Sequence, residues 1–271
     1  MKIFSLLLAL VGVCSLSSCV ELASLITVNK DGTGTIEETV LLSAQLKAMV
    51  ASMPPGAGDS GGNPAASLGS LVPDKKKAEE NAQKYGEGVT VKSVEDVTLP
   101  DGRGGAKVTY DFTDISKLKY QPGSAEAEKQ GAEQDPVTFG FAGGELTINI
   151  PQGKKGEALE KPDAEQLKKM QEIDPAQMAM MKPMFTGMRM SFVIKAGSGI
   201  ASTDASHQDG DTVTILDMQV EKLLENPENF KKLASIMESQ SEPDPKKLAE
   251  QFKDVDGVKV EGKEKVSIKL K

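Results

Sequence analysis

Ala106-Lys107-Val108-Thr109-Tyr110-Asp111-Phe112-Thr113 alternates apolar and polar side chains without a break. Successive side chains on a strand point to opposite faces, so this pattern predicts a half-buried antiparallel strand with Ala106, Val108, Tyr110 and Phe112 inside. Upstream, Val89–Leu99 has the same character, and Pro100-Asp101-Gly102-Arg103-Gly104-Gly105 supplies turn chemistry between the two. The pair predicts a hairpin. Further out, Leu22–Asn29 and Thr35–Leu42 flank Lys30-Asp31-Gly32-Thr33-Gly34, a second hairpin with Ile36, Val40 and Leu42 on one face. Phe139 and Phe141 precede Gly143-Gly144, and Leu146, Ile148 and Ile150 alternate on the return. Met188, Met190, Phe192 and Ile194 predict a further strand, and Thr212–Leu216 the next after the Asp209-Gly210 turn. Val258–Val260 and Val266–Leu270 read as a closing hairpin.

Helix signals lie between these hairpins. Ala44–Met53 is a short helix candidate, and Asp74 caps a polar helix to about Tyr85. Asp163 and Asp174-Pro175 open two more, the second rich in Met; Val220–Met237 and the region of Leu248 and Phe252 complete the set. Hairpins interleaved with amphipathic helices, without a βαβ rhythm, predict an α+β fold on a mostly antiparallel sheet. One domain over 19–271 is expected, with flexible Gly/Ser/Pro-rich or polar insertions near 54–73 and 121–136.

The N-terminus carries an address. Lys2 precedes the apolar run Ile3–Val13, which falls short of the roughly 20 residues a spanning helix needs. Residues 1–18 therefore read as a secretory signal peptide. Leu16-Ser17-Ser18-Cys19 resembles the lipobox of bacterial lipoproteins, in which the cysteine sulfur receives diacylglycerol and becomes the first mature residue. Cys19 is thus the expected lipidation site. Cys14 leaves with the signal, so no disulfide is expected in an oxidising envelope compartment. Acyl chains contribute about 0.8 kcal/mol per buried CH₂ and anchor without a spanning helix. Val20 rather than Asp after the cysteine resembles an outer-membrane sorting signal, which faces the protein to the periplasm in a Gram-negative cell.

Composition narrows the function. The 271-residue chain has net charge −8 and a pI near 5.0. Nucleic-acid binding needs a basic surface to release counterions, and none is supplied. A single His and two Cys argue against His-based zinc sites. Asn29–Ile36 imitates the front of an EF-hand loop, but its twelfth position is Val40 rather than a bidentate Glu, so a hairpin turn is expected. Ser206, His207 and Asp209 have triad letters but are neighbours in a polar loop and lack a nucleophile elbow. Glu37 and Glu38 point to opposite faces of a strand and cannot share a proton. Gly102–Gly105 lacks a P-loop Lys-Ser/Thr. Lys75–Lys77 and the Lys-rich stretch Lys259–Lys271 read as solvated faces near anionic headgroups. No catalytic residue, cofactor or metal is assigned.

Three stretches and a hairpin add a family resemblance to the lipobox. "NKDGTGTIEE" (29–38), "DGRGGAKVTYDFTDISKL" (101–118), a Gly-Gly hairpin and "SFVIKAGSGIASTDASHQDGDTVTI" (191–215) resemble the LppM-type lipoproteins in turn chemistry and strand order. That resemblance implies an envelope-exposed α+β domain, lipid binding for at least some members, and no enzyme. The expected function is a membrane-anchored, non-enzymatic binding module for lipid or another amphiphile; the alternatives are a structural or protein-interaction lipoprotein and copper binding through the methionines between Met170 and Met190. An amphiphile groove walled by the Pro175–Phe185 helix and the Met188–Ile194 strand is one expectation. Val108, Tyr110, Phe112, Ile148 and Phe192 discriminate the classes, since they either close on a core or line a void.

Overall fold

The computed structural model describes residues 20–51, 71–121, 135–151, 187–223 and 245–271, with a few positions between 225 and 232. The 106–113 pattern forms β4 (Gly104–Phe112), paired antiparallel with β3 (Val89–Thr98) and β2 (Gly34–Leu42). Strand β2 pairs antiparallel with β1 (Val20–Val28) through the expected turn. Asp31 accepts from the Thr33 backbone N–H at 3.0 Å and hydroxyl at 2.7 Å, and Asn29 donates to Thr33 Oγ1. Gly34 opens β2 where no side chain fits: a Cβ there would lie 1.9 Å from the Thr27 carbonyl oxygen.

The remaining hairpins fall into place, with one correction. Strands β6 (Val137–Ala142) and β7 (Glu145–Asn149) form the Gly-Gly hairpin, and β5 (Lys119–Tyr120) extends it beside β6. Strand β8 (Arg189–Ala196) pairs antiparallel with β11 (Thr212–Gln219), but on its other edge it runs parallel to β1. The first sheet is therefore mostly antiparallel, as expected, with this one parallel pair, in the order β10 (Gln208–Asp209), β11, β8, β1, β2, β4, β3. The expected closing hairpin is absent. Strand β12 (Val258–Val260) pairs with β11 in the first sheet, whereas β13 (Lys265–Leu270) lies between β7 and β9 (Ile200–Thr203) in the second. Glu261, only 1% exposed, explains the redirection. It accepts from the Ser206 backbone N–H at 2.6 Å, the Ser206 hydroxyl at 2.9 Å and the Lys263 backbone N–H at 3.1 Å, turning the chain between sheets.

Helices are sparse among the described residues. Helix α1 is Ala44–Ala51. Helix α2 (Lys75–Tyr85) is capped by Asp74, which accepts from the Lys77 N–H at 2.8 Å, and buries Ala78, Ala82 and Tyr85 on one stripe. Helix α3 (Val220–Leu223) and helix α4 (Pro245–Gln251) are short. The expected helices from Asp163 and Asp174-Pro175, residues 54–70 and residues 122–134 lie outside the described residues. The inner faces of both sheets and the buried stripe of α2 share one core, including Ile26, Ile36, Val108, Phe139, Ile148, Ile194 and Ile268. A satellite cluster of Val20, Leu42 and Leu46 closes the end where β1 begins, with Leu71 and Val72 packed against it. No described helix is long and apolar enough to cross a membrane.

Candidate functional site

The inner face of β2 reads Gly34, Ile36, Glu38, Val40, Leu42, and the facing positions of β1 read Val28, Ile26, Ser24, Leu22, Val20. Strand parity therefore places a carboxylate and a hydroxyl directly opposite each other in an otherwise apolar face. All three tyrosines of the chain converge there. Tyr85, the last residue of α2, donates to Glu38 Oε1 at 2.5 Å. Tyr110 of β4 donates to Oε2 at 3.2 Å. The Tyr120 hydroxyl of β5 stands 3.0 Å from Oε1 and 2.6 Å from Ser24 Oγ. The rings support one another: Tyr85 meets Tyr110 edge-on at 5.4 Å, and Tyr120 lies 5.2 Å from Tyr85 and 5.0 Å from Phe192. Glu38 thus ties β2 to a helix, a neighbouring strand and the second sheet.

Burial pushes the Glu38 carboxyl above its ordinary value, while the three phenol bonds act against that shift. Tyr85 and Tyr120 are driven upward first by burial and then by the adjacent carboxylate, and Tyr110 shifts the same way. The phenols remain protonated donors. A carboxylate has about four acceptor positions, and three donors leave acceptor capacity at Oε2. The Tyr120 hydroxyl has one proton and two acceptors within reach, Ser24 Oγ and Glu38 Oε1.

Burial changes abruptly along this face. Ile26, Ile36 and Val108 are fully buried, as is Phe192 at 3% exposure. Ser24 and Glu38 are half-buried, and one step nearer the start of β1 so are Leu22 and Val40. Met190 of β8, level with Leu22, is 41% exposed and is the exposed large apolar side chain among the described residues. The result is a partly buried apolar row, Met190–Leu22–Val40, whose Leu22 packs on the Val20–Leu42–Leu46 cluster, with the acceptor oxygens of Ser24 and Glu38 in the next row inward.

The residues singled out from sequence separate into distinct settings. Glu37 faces outward and pairs with Lys107 at 2.5 Å, confirming that it shares nothing with Glu38. Ser206 binds Glu261, and His207 Nε2 contacts the Val260 carbonyl at 3.3 Å, so the Ser-His-Asp letters do not assemble. Arg103, in the Gly-rich turn, pairs with Glu21 at 2.6 Å and Asp101 at 2.7 Å. Val108, Tyr110, Phe112, Ile148 and Phe192 all close on the shared core. Phe192 is therefore core, not the wall of a void. Cys19 and the methionines from Met170 to Met184 lie outside the described residues, while Met188 packs on the satellite cluster. Sequence reading missed the Glu38 cluster. Its signal was parity: Glu38 stands between Ile36 and Val40 on the face assigned to the core.

No family model and no curated protein matches the sequence. The NMR structure of the LppM folded domain from Mycobacterium tuberculosis is a weak structural resemblance, with 11% identity over 73% of this chain and 81% of that chain and a TM-score of 0.32.

Proposed function

We propose that this chain is a bacterial envelope lipoprotein, anchored through acylated Cys19, whose domain is a non-enzymatic binding module for an amphiphile. The observation that carries the reading is the start of β1 at Val20, the residue after the lipobox cysteine. Strand β1 is held on one side by β2 and on the other by β8, so the anchor joins the middle of a sheet without a linker. The partly buried row Met190–Leu22–Val40 begins within three residues of that anchor on β1, which favours ligands drawn from the adjoining bilayer. Ser206 and His207 being engaged elsewhere supports a binding rather than catalytic role.

A second reading, a protein-interaction lipoprotein without an amphiphile site, draws support from the five discriminating residues, which close on the core. Two measurements test the proposal. Intact-peptide mass spectrometry is expected to find mature chain beginning at acylated Cys19, with Cys19→Ala releasing or mislocalising the protein; an unacylated N-terminus ends the lipoprotein reading. Native mass spectrometry of the purified protein is expected to retain a co-purified lipid, and its absence under mild extraction leaves the interaction reading in possession.

A further inference from the structure

We infer that the end of the first sheet at which β1 starts is held against a lipid bilayer, with helix α1 (Ala44–Ala51) as the contacting element and the Asp31-Gly32 and Asp209-Gly210 turns directed away from it. This rests on the lipoprotein reading above and adds the surface and orientation that an acylated Cys19 imposes.

The reach of the anchor is the first ground. Consecutive Cα atoms are about 3.8 Å apart, so acylation at Cys19 brings Val20 to the interface with one peptide between them. Val20 is 3% exposed and already paired with Leu42. Register carries that level across the sheet: Leu42 is opposite Gly104, Gly104 opposite Thr98, Glu21 opposite Arg189, and Arg189 opposite Gln219. The strand ends from β3 to β11 thus form one row, with the anchor near its middle. The other end of β1, at Val28, lies about 26 Å away at strand spacing. The turn after Val28 and the β10–β11 turn, whose Thr212 is level with Lys195, belong to that far end.

The second ground is what the near end presents. Helix α1 starts two residues after Leu42: the Leu46 N–H donates to Ser43 Oγ at 3.0 Å, and the Lys47 N–H to the Ser43 carbonyl at 2.9 Å. Leu46 packs on Val20 and Leu42, which fixes the helix to the residue beside the anchor. A Cβ on Gly102 would lie 3.3 Å from Ala44 Cβ, so α1 also touches the β3–β4 turn. Ala44, Gln45, Lys47 and Ala48 are exposed. The helix sequence Ala-Gln-Leu-Lys-Ala-Met-Val-Ala contains one charge, Lys47, and a lysine reaches headgroups on its own flexible stem. An eight-residue helix this plain has little membrane affinity of its own; attachment supplies the contact.

The third ground disfavours the competing pose, in which the domain lies on the outer face of the first sheet. That face is laced with ion pairs: Lys107–Glu37, Lys92–Asp111 at 3.1 Å, Arg189–Asp217 at 2.8 Å and Lys195–Asp211 at 4.0 Å. Pressing them on a bilayer would desolvate charges without burying a compensating apolar surface. At the near end, Arg103 is engaged by Glu21 and Asp101 beside a helix with a single charge.

The test reconstitutes the acylated protein in phosphatidylcholine vesicles containing a lipid with a nitroxide high on its acyl chain. With Cys14 removed and Cys19 blocked, an introduced cysteine is the one free thiol of the mature chain, and it carries a nitrobenzoxadiazole label. Gln45→Cys and Ala48→Cys report α1, and Lys30→Cys and Asp209→Cys report the far turns; each variant is checked for an unchanged melting temperature. Quenching at Gln45 and Ala48 is expected to exceed that at Lys30 and Asp209 by about threefold or more, since interfacial contact reaches only about 5–10 Å into the bilayer boundary. Ten Gly/Ser residues inserted between Cys19 and Val20 give about 18 Å of slack, and are expected to lower the α1 quenching several-fold. Equal quenching at both ends shows a domain lying on its side and overturns the orientation. Absence of quenching at both α1 positions in vesicle-bound protein means that something other than the bilayer covers α1, and overturns the contact. Quenching that survives the inserted linker overturns the argument from direct attachment. Failure of the purified protein to float with the vesicles removes the lipoprotein reading itself.

Discussion

Glu38 and Glu261 are both carboxylates turned inward from the strand system, and their surroundings have little in common. Glu261 is held by the two N–H groups of Ser206 and Lys263 and by the Ser206 hydroxyl. Glu38 is held by phenols from α2, β4 and β5. A carboxylate held mainly by backbone serves the path of the chain, here the passage from the first sheet to the second. One held by side chains from distant elements couples those elements, and its partners can be changed without moving the backbone. The contrast separates a structural anion from a candidate functional one more clearly than burial does, since Glu261 is the more buried of the two.

The largest expected effect comes from removing each acceptor. Glu38→Leu strands the three phenols without their carboxylate and is expected to cost about 2–4 kcal/mol in chemical denaturation. Glu261→Ala is expected to cost about 2 kcal/mol and to loosen the 204–206 and 261–263 segments in hydrogen exchange, leaving the tyrosine environment unchanged in near-ultraviolet dichroism. If Glu261→Ala perturbs the tyrosines as strongly as Glu38→Leu does, the two regions are one unit and the contrast fails.

Next comes pH. Burial raises the folded-state carboxyl of Glu38 above its unfolded value near 4.5. The folded protein therefore holds that proton more tightly, and the stability tied to it is complete below about pH 4.5 and declines as pH rises through the folded value. Exposed Asp31, Asp101 and Asp114 are shifted downward and act in the opposite sense, so the measurement is the difference between the natural chain and Glu38→Gln from pH 4 to 8. That difference is expected to move against the natural chain with rising pH, and a flat difference refutes a raised Glu38.

The tyrosines give a smaller, graded effect. Tyr85→Phe, which removes the 2.5 Å bond, is expected to cost about 1 kcal/mol, and Tyr110→Phe, at 3.2 Å, less. The reverse order would place the main clamp on β4 rather than on α2. Smallest is Met190→Ser, expected to change stability by less than about 0.5 kcal/mol because the side chain is 41% exposed. A large loss would mean that the row is core.

The sequence made much of this architecture legible because its signals are local. Alternation in 106–113, the Asp31-Gly32 turn and the Asp74 cap each fix a few neighbouring residues, and each produced its element. The parallel β1–β8 pair had no such signal, since its partners lie most of the chain apart and pair without a turn between them. The misplaced closing hairpin failed for a related reason. Val258–Val260 and Val266–Leu270 have hairpin spacing, but Glu261 and its backbone donors send the second strand to the other sheet. For Glu38, the period-two pattern contained the answer, yet the Tyr85 and Tyr120 hydroxyls arrive only through tertiary packing.

The parallel pairing of β1 with β8 also governs the order in which this protein can become native. The most N-terminal of the described strands is central in the finished sheet, yet one of its two edges is satisfied by a strand made much later. Hairpins β1–β2 and β3–β4 can form while synthesis continues, but the middle of the sheet keeps an open ladder edge until β8 arrives. Under the proposed tether, that waiting intermediate is already fixed to the membrane. Confinement to a surface would then keep its unpaired edge away from other unfinished chains in the surrounding volume, where edge-to-edge association begins.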